Sequence, residues 1–440
     1  MSAQRFDSFF PSSSDPNPAK CLWSKRTILR ATLLLAIASL VIVAFFAVPA
    51  FAAGPPATAR VMVAYEAGAV GLAAADRAIR SAGGSLVEWV PGTDLVVVLV
   101  PHQALAGLAR SPGVLAVEPD VRVHILGAPW ATSDKGGGHA AAAQPTESVG
   151  WNMARIGAEV AWTVSVGRGV NVAILDTGID LDHKDLKNNI EGGYMAIQTG
   201  RYALARKRTY NDDHNHGTHV AGIVAAVKGN GIGVVGVAPE ADLYAVKVLD
   251  QNGSGYLSDI IEGIQWAIDT RLDANPDNDI QIINMSFGTS TNSFLLEWAL
   301  IAAEDEGIML VAAAGNGGPS EGTVLYPAAY PSVVAAGATD QQDAVASFSS
   351  RGTKVELSAP GVAILSTIAT GGYQVYSGTS MASPHVAGAA ALMLQANPSA
   401  TPVEVIVSLG AYADDLGPFG RDTGFGFGLV RPDRSLGLTP

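Results

Sequence analysis

Ser377-Gly-Thr-Ser-Met-Ala-Ser-Pro-His-Val-Ala-Gly388 opens a run of small and apolar residues that continues through Gln395. Small residues sustained over that length predict a buried helix over Ser380–Gln395, packed closely on a sheet. A hydroxyl near the start of such a helix lies at its positive end, which also favours a developing oxyanion. Ser380 equally suits a helix cap, as do Thr379 and Ser383. It is not the G-x-S-x-G elbow of the esterase fold, because Met-Ala follows the serine.

Three upstream segments place a polar side chain at the end of an apolar element in the same way. Ala173-Ile-Leu-Asp-Thr-Gly-Ile-Asp180 runs a strand into Asp176, where α/β proteins build sites, although a carboxylate there is also a common turn former. His216-Gly-Thr-His-Val-Ala-Gly222 opens a helix predicted over Thr218–Val227. Its two histidines lack the glutamate and spacing of a zinc protease motif. Ala312-Ala-Ala-Gly-Asn316 ends a strand at an amide, and Gly-Asn by itself is an ordinary turn. Between these segments, strands expected at Val170–Leu175, Asp242–Val248, Ile280–Met285, Met309–Ala313 and Val333–Ala338 alternate with helices at Ser258–Thr270 and Leu295–Glu306. The strands are near-continuously apolar, so both faces of the sheet must be covered. That predicts parallel strands with crossover helices, an α/β layer fold.

Taken together, in the order Asp, His, Asn, Ser, the segments DTGID, HGTHVAG, AAAGN and GTSMASPHVAG resemble the subtilases, subtilisin-like serine peptidases, over about residues 150–433. The resemblance implies a three-layer fold with a mostly parallel sheet flanked by helices. It implies a catalytic triad of Asp176, His216 and Ser380, with Asn316 and the Ser380 N–H as the oxyanion hole. Substrate is then expected to pair as a β-strand between Asn252-Gly253-Ser254-Gly255 and Ser286-Phe287-Gly288. Ala313, Ala314 and Gly315 would line the first specificity pocket, with Leu325 at its floor. These segments carry no carboxylate, so modest apolar residues are expected at P1, the residue whose carbonyl is attacked. The resemblance also implies structural calcium, held by Asp185 and by a loop containing Val227, Asn230, Ile232 and Val234. That loop is one residue longer than the family's and carries Lys228. Asp273–Asp279 offers oxygens at calcium-like spacing without the glycine and terminal glutamate of an EF-hand loop, and reads as an acidic surface loop.

Ahead of this domain, residues 60–126 read as a small α+β unit of order βαββαβ, with the last strand over Val114–Ile125. It resembles the propeptide of these enzymes, an intramolecular chaperone and inhibitor whose tail would lie in the cleft until cut. Its bounds are taken as 54–126. A Gly-, Ala- and Ser-rich linker follows at 127–146, with the maturation cut expected between about Leu126 and Gln144, and the peptidase domain occupies 147–440. Residues 1–53 carry Lys20, Lys25 and Arg26, an apolar run from Ala31 to Val48, and the small-x-small site Ala50-Phe-Ala52, the pattern of a secretory signal peptide. The alternative is a retained N-terminal anchor. The single cysteine, Cys21, lies before that run and excludes a disulfide framework.

Hydrophobic residues make up 48% and charged residues 15% of the 440, which suits a large buried core. The formal charge of -13 argues against nucleic acid and anionic membrane surfaces as partners. The expectation is a secreted, monomeric serine endopeptidase acting on polypeptides and made as a self-cleaving zymogen. Arg201–Arg208, a basic stretch, reads as a solvated loop, with autolysis as the alternative.

Overall fold

The computed structural model describes residues 58–126, 145–197 and 210–438. The leader at 1–53 and the basic stretch at 201–208 lie outside the described residues, as does the linker apart from its last two positions. The chain divides into two compact units, Met1–Asp120 and Val121–Pro440.

In the first unit, β1 (Thr58–Tyr65), β2 (Ser85–Val90), β3 (Leu95–Pro101) and β4 (Val114–Pro119) form an antiparallel sheet of order β2-β3-β1-β4. Helix α1 (Ala69–Ser81) sets Leu72, Ala75 and Ile79 on one face, at three- and four-residue spacing. They pack on Val61, Val63, Val96 and Val98, which alternate along their strands and so share one side of the sheet. The strand expected over Val114–Ile125 is broken. Asp120 is buried and ion-paired to Arg60, closing the small sheet, and β5 (Arg122–Ile125) belongs to the second unit.

The second unit is built on β6 (Asn171–Asp176), β7 (Ile190–Met195), β8 (Asp242–Lys247), β10 (Ile282–Met285), β12 (Met309–Ala313), β13 (Val334–Thr339) and β14 (Val355–Pro360). They form one sheet of order β14-β13-β12-β10-β6-β8-β7, with every neighbouring pair parallel. All six residues of β6 are buried, including the four-residue apolar run Val172–Leu175 at its centre. Alternate residues serve opposite faces. Val172 and Ile174 join the core under α2 (His216–Ala225), while Leu175 lies toward Gly263 of α3 (Leu257–Leu272). Next to α3 runs α4 (Phe294–Asp305), and α5 (Thr379–Ala396) shares the core of α2 through Val386, Ala387, Ala390 and Ala391. The observed helices agree with the expected ones to within two residues. Three short pieces complete the site: β9 (Ser254–Tyr256), β11 (Phe287–Gly288) and the hairpin β15 (Ile364–Ile368) with β16 (Gly372–Tyr376).

Candidate active site

Asp176 ends β6 and is fully buried. Its oxygens lie 2.8 and 3.0 Å from Nδ1 of His216, the first residue of α2, and one of them also accepts the Thr177 N–H at 2.7 Å. Strand and helix can approach this closely because residue 217 has no side chain. A Cβ there would stand 2.1 Å from the Gly178 carbonyl oxygen and 3.1 Å from the Asp176 Cβ. Burial by itself would lower the His216 pKa. The charge and hydrogen bond of Asp176, helped by Asp212, outweigh it and raise the pKa above the ordinary 6.5.

Ser380 is the second residue of α5 and is 1% exposed. Its Oγ donates to the Ser286 carbonyl at 3.0 Å, and the buried Nε2 of His216 has no hydrogen-bond partner among the described residues. The relay bond expected between them is therefore unmade, as catalytic hydrogen bonds often are before reaction. Pro384 explains part of the local design. It has no N–H to offer the carbonyl of Ser380 one helical turn back, and the Ser286 Oγ donates to that carbonyl instead, at 3.0 Å. The turn after β10 and the start of α5 are thus tied at Ser380.

Asn316 follows β12 and turns its amide by two contacts to Thr379. Its Oδ1 accepts the Thr379 N–H at 3.0 Å and the Thr379 hydroxyl at 2.9 Å, which leaves Nδ2 facing the cleft. There Nδ2 donates to the Leu126 carbonyl at 3.2 Å. A Cβ built on Gly378 would lie 3.3 Å from Asn316 Nδ2, 3.7 Å from the Ser380 nitrogen and 3.9 Å from the Leu126 oxygen. Asn316 Nδ2 therefore holds the Leu126 carbonyl, and the Ser380 nitrogen lies in the same neighbourhood.

That carbonyl belongs to a strand already in the cleft. Antiparallel β5 lies between β9 and β11, with Arg122, Val123 and His124 opposite Tyr256, Gly255 and Ser254, and with His124 and Ile125 opposite Gly288 and Phe287. The Ile125 N–H reaches the Gly253 carbonyl at 2.9 Å. The two segments singled out in the sequence thus face each other across an extended strand. Leu126 is 8% exposed, and its Cδ2 lies 3.2 Å from where a Cβ on Gly288 would be. Leu325 closes in on the same point and on Gly315, and Ala313 and Ala314 are buried alongside.

The expected calcium loop comes to Asp185, which is fully buried. Its carboxylate accepts from Asn230 Nδ2 at 2.6 Å, the Val234 N–H at 3.0 Å and the Tyr373 hydroxyl at 3.2 Å. The carbonyls of Gly231 and Gly233 bond to the N–H groups of Glu147 and Ser148, whereas those of Val227, Ile232 and Val234 accept no backbone hydrogen bond among the described residues. The carboxylate and three carbonyls without backbone bonds are oxygens of the kind calcium takes, while Asn230 turns its Nδ2 to the carboxylate and its Oδ1 accepts the Ile232 N–H at 2.9 Å. Of the other histidines, His183 and His385 bond to backbone carbonyls within the fold, as structural roles require. The Asp273–Asp279 loop ties its own turn, with Asp273 accepting from Asn275 and Asn278.

Three supporting residues had no distinguishing signal in the sequence. Asp212 accepts from Thr177, His214, Asn215 and Thr218 and so fixes the start of α2. Lys247 is 1% exposed and donates to the Thr177 and Leu249 carbonyls and to Asp213, beneath the Asp176 turn. Thr379 orients Asn316. Each acts through neighbours brought together by the fold, and only the cap preference that singled out Thr379 touched any of them.

Comparison with known proteins agrees with this geometry. A family model described as the subtilase family, Peptidase_S8, matches residues 167–428. Subtilisin E of Bacillus subtilis (strain 168) is 38% identical over 392 residues, 88% of this chain and 93% of that protein. Subtilisin of Bacillus pumilus is 47% identical over 253 residues, 57% of this chain and 86% of its own length. Minor extracellular protease Epr of Bacillus subtilis (strain 168) is 45% identical over 282 residues, 64% of this chain but 41% of that longer protein. The chain belongs to the subtilase family, the subtilisin-like serine endopeptidases.

Proposed function

We propose that the chain is a secreted endopeptidase made as a zymogen, which releases itself by cutting the Leu126–Gly127 bond. The observation that carries this reading is the Leu126 carbonyl, held 3.2 Å from Asn316 Nδ2 at the end of a strand paired on both sides. In this reading the Ser380 hydroxyl turns from the Ser286 carbonyl toward His216 Nε2, which takes its proton as Oγ bonds to the Leu126 carbonyl carbon. Asp176 accepts the Nδ1–H and stabilises the imidazolium that forms. The oxyanion draws on Asn316 Nδ2 and the Ser380 N–H. The tetrahedral intermediate then collapses, the C–N bond breaks, and His216 gives its proton to the Gly127 amine. Water, deprotonated by His216, releases Leu126 from Ser380.

Other polypeptides take the same path. Their backbone pairs with β9 and β11, which needs no particular sequence and supports broad specificity. Leu126 against Gly288 and Leu325 supports an apolar P1, and Val123, 1% exposed, supports an apolar P4. A structural calcium is proposed at Asp185, Asn230 and the carbonyls of Val227, Ile232 and Val234. It would brace the loop before β8, and Asn230 would turn its oxygen toward the ion.

Secretion is supported by the leader pattern in the sequence and by a relative whose name calls it extracellular. Among the described residues no helix is long and apolar enough to cross a membrane. Expression of the full chain and of Ser380→Ala, followed by mass spectrometry of culture medium and membranes, tests the whole reading. The expected outcome is a soluble product beginning at Gly127 from the wild type and an uncut 54–126 segment in the mutant. A wild type that stays uncut and inert toward casein refutes it.

A further inference from the structure

We propose that Asp250 and Tyr256 form a recognition site for a cationic side chain at P5, the fifth residue before the scissile bond. This rests on the cleft reading given above, in which Leu126 is P1 and Arg122 is therefore P5. The Arg122 Nη2 lies 3.3 Å from Asp250 Oδ2, and its guanidinium carbon is 5.0 Å from the centroid of the Tyr256 ring, the residue opposite it in register. One plane of charge thus meets a carboxylate edge and an aromatic face together, a combination that suits arginine better than lysine.

The carboxylate is held in place before substrate arrives. Its other oxygen, Oδ1, accepts the N–H groups of Asn252 at 2.9 Å and Ser254 at 3.1 Å, inside the turn that leads into β9. The backbone of the same turn is closed by the Asp250 N–H on the Ser254 carbonyl and the Gly253 N–H on the Asp250 carbonyl, both 2.8 Å. Oδ1 therefore serves the protein and Oδ2 is offered to the strand in the cleft, with little ordering left to be done on binding. Side chains at P3 and P5 share one side of that strand. P3 makes its own contact, His124 Nδ1 to Ser254 Oγ at 2.7 Å. The enzyme so described is apolar in its demand next to the cut and basic in its preference one strand length away.

The test compares peptides Xaa-Val-His-Ile-Leu-Gly-Ala-Pro, with Arg, Lys or Glu as Xaa, on the mature enzyme. A partly exposed ion pair and a cation–π contact together predict an Arg-over-Glu ratio in kcat/KM of about three- to tenfold, falling with salt, with Lys between. Asp250→Asn keeps an oxygen for the two turn N–H groups and removes the charge, so the ratio should fall to the smaller part that the Tyr256 ring supplies alone. A turn-forming role without recognition predicts the same ratio in both enzymes, and that result overturns the proposal. Cleavage of all three peptides at one rate by the wild type also overturns it, while leaving the protease reading intact. Cleavage of none overturns both. If Asp250→Asn does not fold, the wild-type ratio and its salt dependence decide alone.

Discussion

Thr379→Val isolates the contact that aims the oxyanion amide. The hydroxyl of Thr379 donates to Asn316 Oδ1 at 2.9 Å and accepts the Gly315 N–H at 3.1 Å, while the Thr379 backbone N–H holds the same Oδ1 from 3.0 Å. Valine conserves shape and removes the first two contacts but keeps the third. Losing Asn316 itself, by Asn316→Ala, deletes an oxyanion donor and should lower kcat by about 10²–10³. Losing one of two neutral orienting bonds should cost about 1–1.4 kcal/mol of transition-state stabilisation, roughly five- to tenfold in kcat. Because the effect acts on the developing oxyanion, KM should move less than kcat. Gly315 loses its acceptor in a buried setting, so stability should fall by about 1–3 kcal/mol. The assay is steady-state cleavage of a peptide with Leu at P1, alongside urea unfolding of an inhibited sample. In the Asn316→Ala background Thr379→Val should add almost nothing to the kcat loss, since there is no amide left to orient. A variant that is destabilised but keeps its kcat, or one whose kcat loss is equal in both backgrounds, refutes the reasoning.

Other expectations follow from the same geometry. Catalysis needs neutral His216, and its pKa is raised by Asp176, so the acid limb of kcat/KM should lie above the ordinary 6.5. Asp176→Asn leaves burial opposed only by Asp212, so that limb should move to lower pH while kcat drops by about 10⁴. The same raised pKa adds stability that is fully present below about 6.5 and is lost as pH rises through the folded value, which unfolding at two pH values would measure. Leu325→Gly removes the side chain that crowds Gly288 and Gly315, and should shift P1 preference from Leu toward Phe by about tenfold or more; an unchanged ratio would mean that Leu325 does not floor the pocket. Chelation of a calcium held at 100 times its Kd should cost about 3 kcal/mol, a fall in Tm of roughly 5–10 °C; an unchanged melt with Asp185 and its loop intact would remove the ion from the description.

Ser380, Asp176, His216 and Asn316 stand out in the sequence because each lies in a short segment whose neighbours are dictated locally. Gly217 must be bare where α2 passes the Asp176 turn, and Pro384 must free the Ser380 carbonyl for Ser286. The alternation of buried strands with small-residue helices likewise declares a parallel layered sheet, because burial on both faces leaves no polar side to write. Lys247, Asp212 and Thr379 were not legible, since a lysine ending a strand or an aspartate before a helix has many bland uses. Their partners are set by strand order, as Lys247 opposite Asp176 shows.

The break after Asp120 shows where sequence alone stops. Val114–Ile125 alternates well enough to be one strand, and nothing local says that its last four residues pair with β9 and β11 instead of with β1. Local propensity and periodicity determined which residues become strand, helix and turn, and the reactive segments with them. Only the tertiary structure decided what each strand edge would bind, because backbone N–H and C=O groups are the same on every strand and are assigned by proximity in the finished fold.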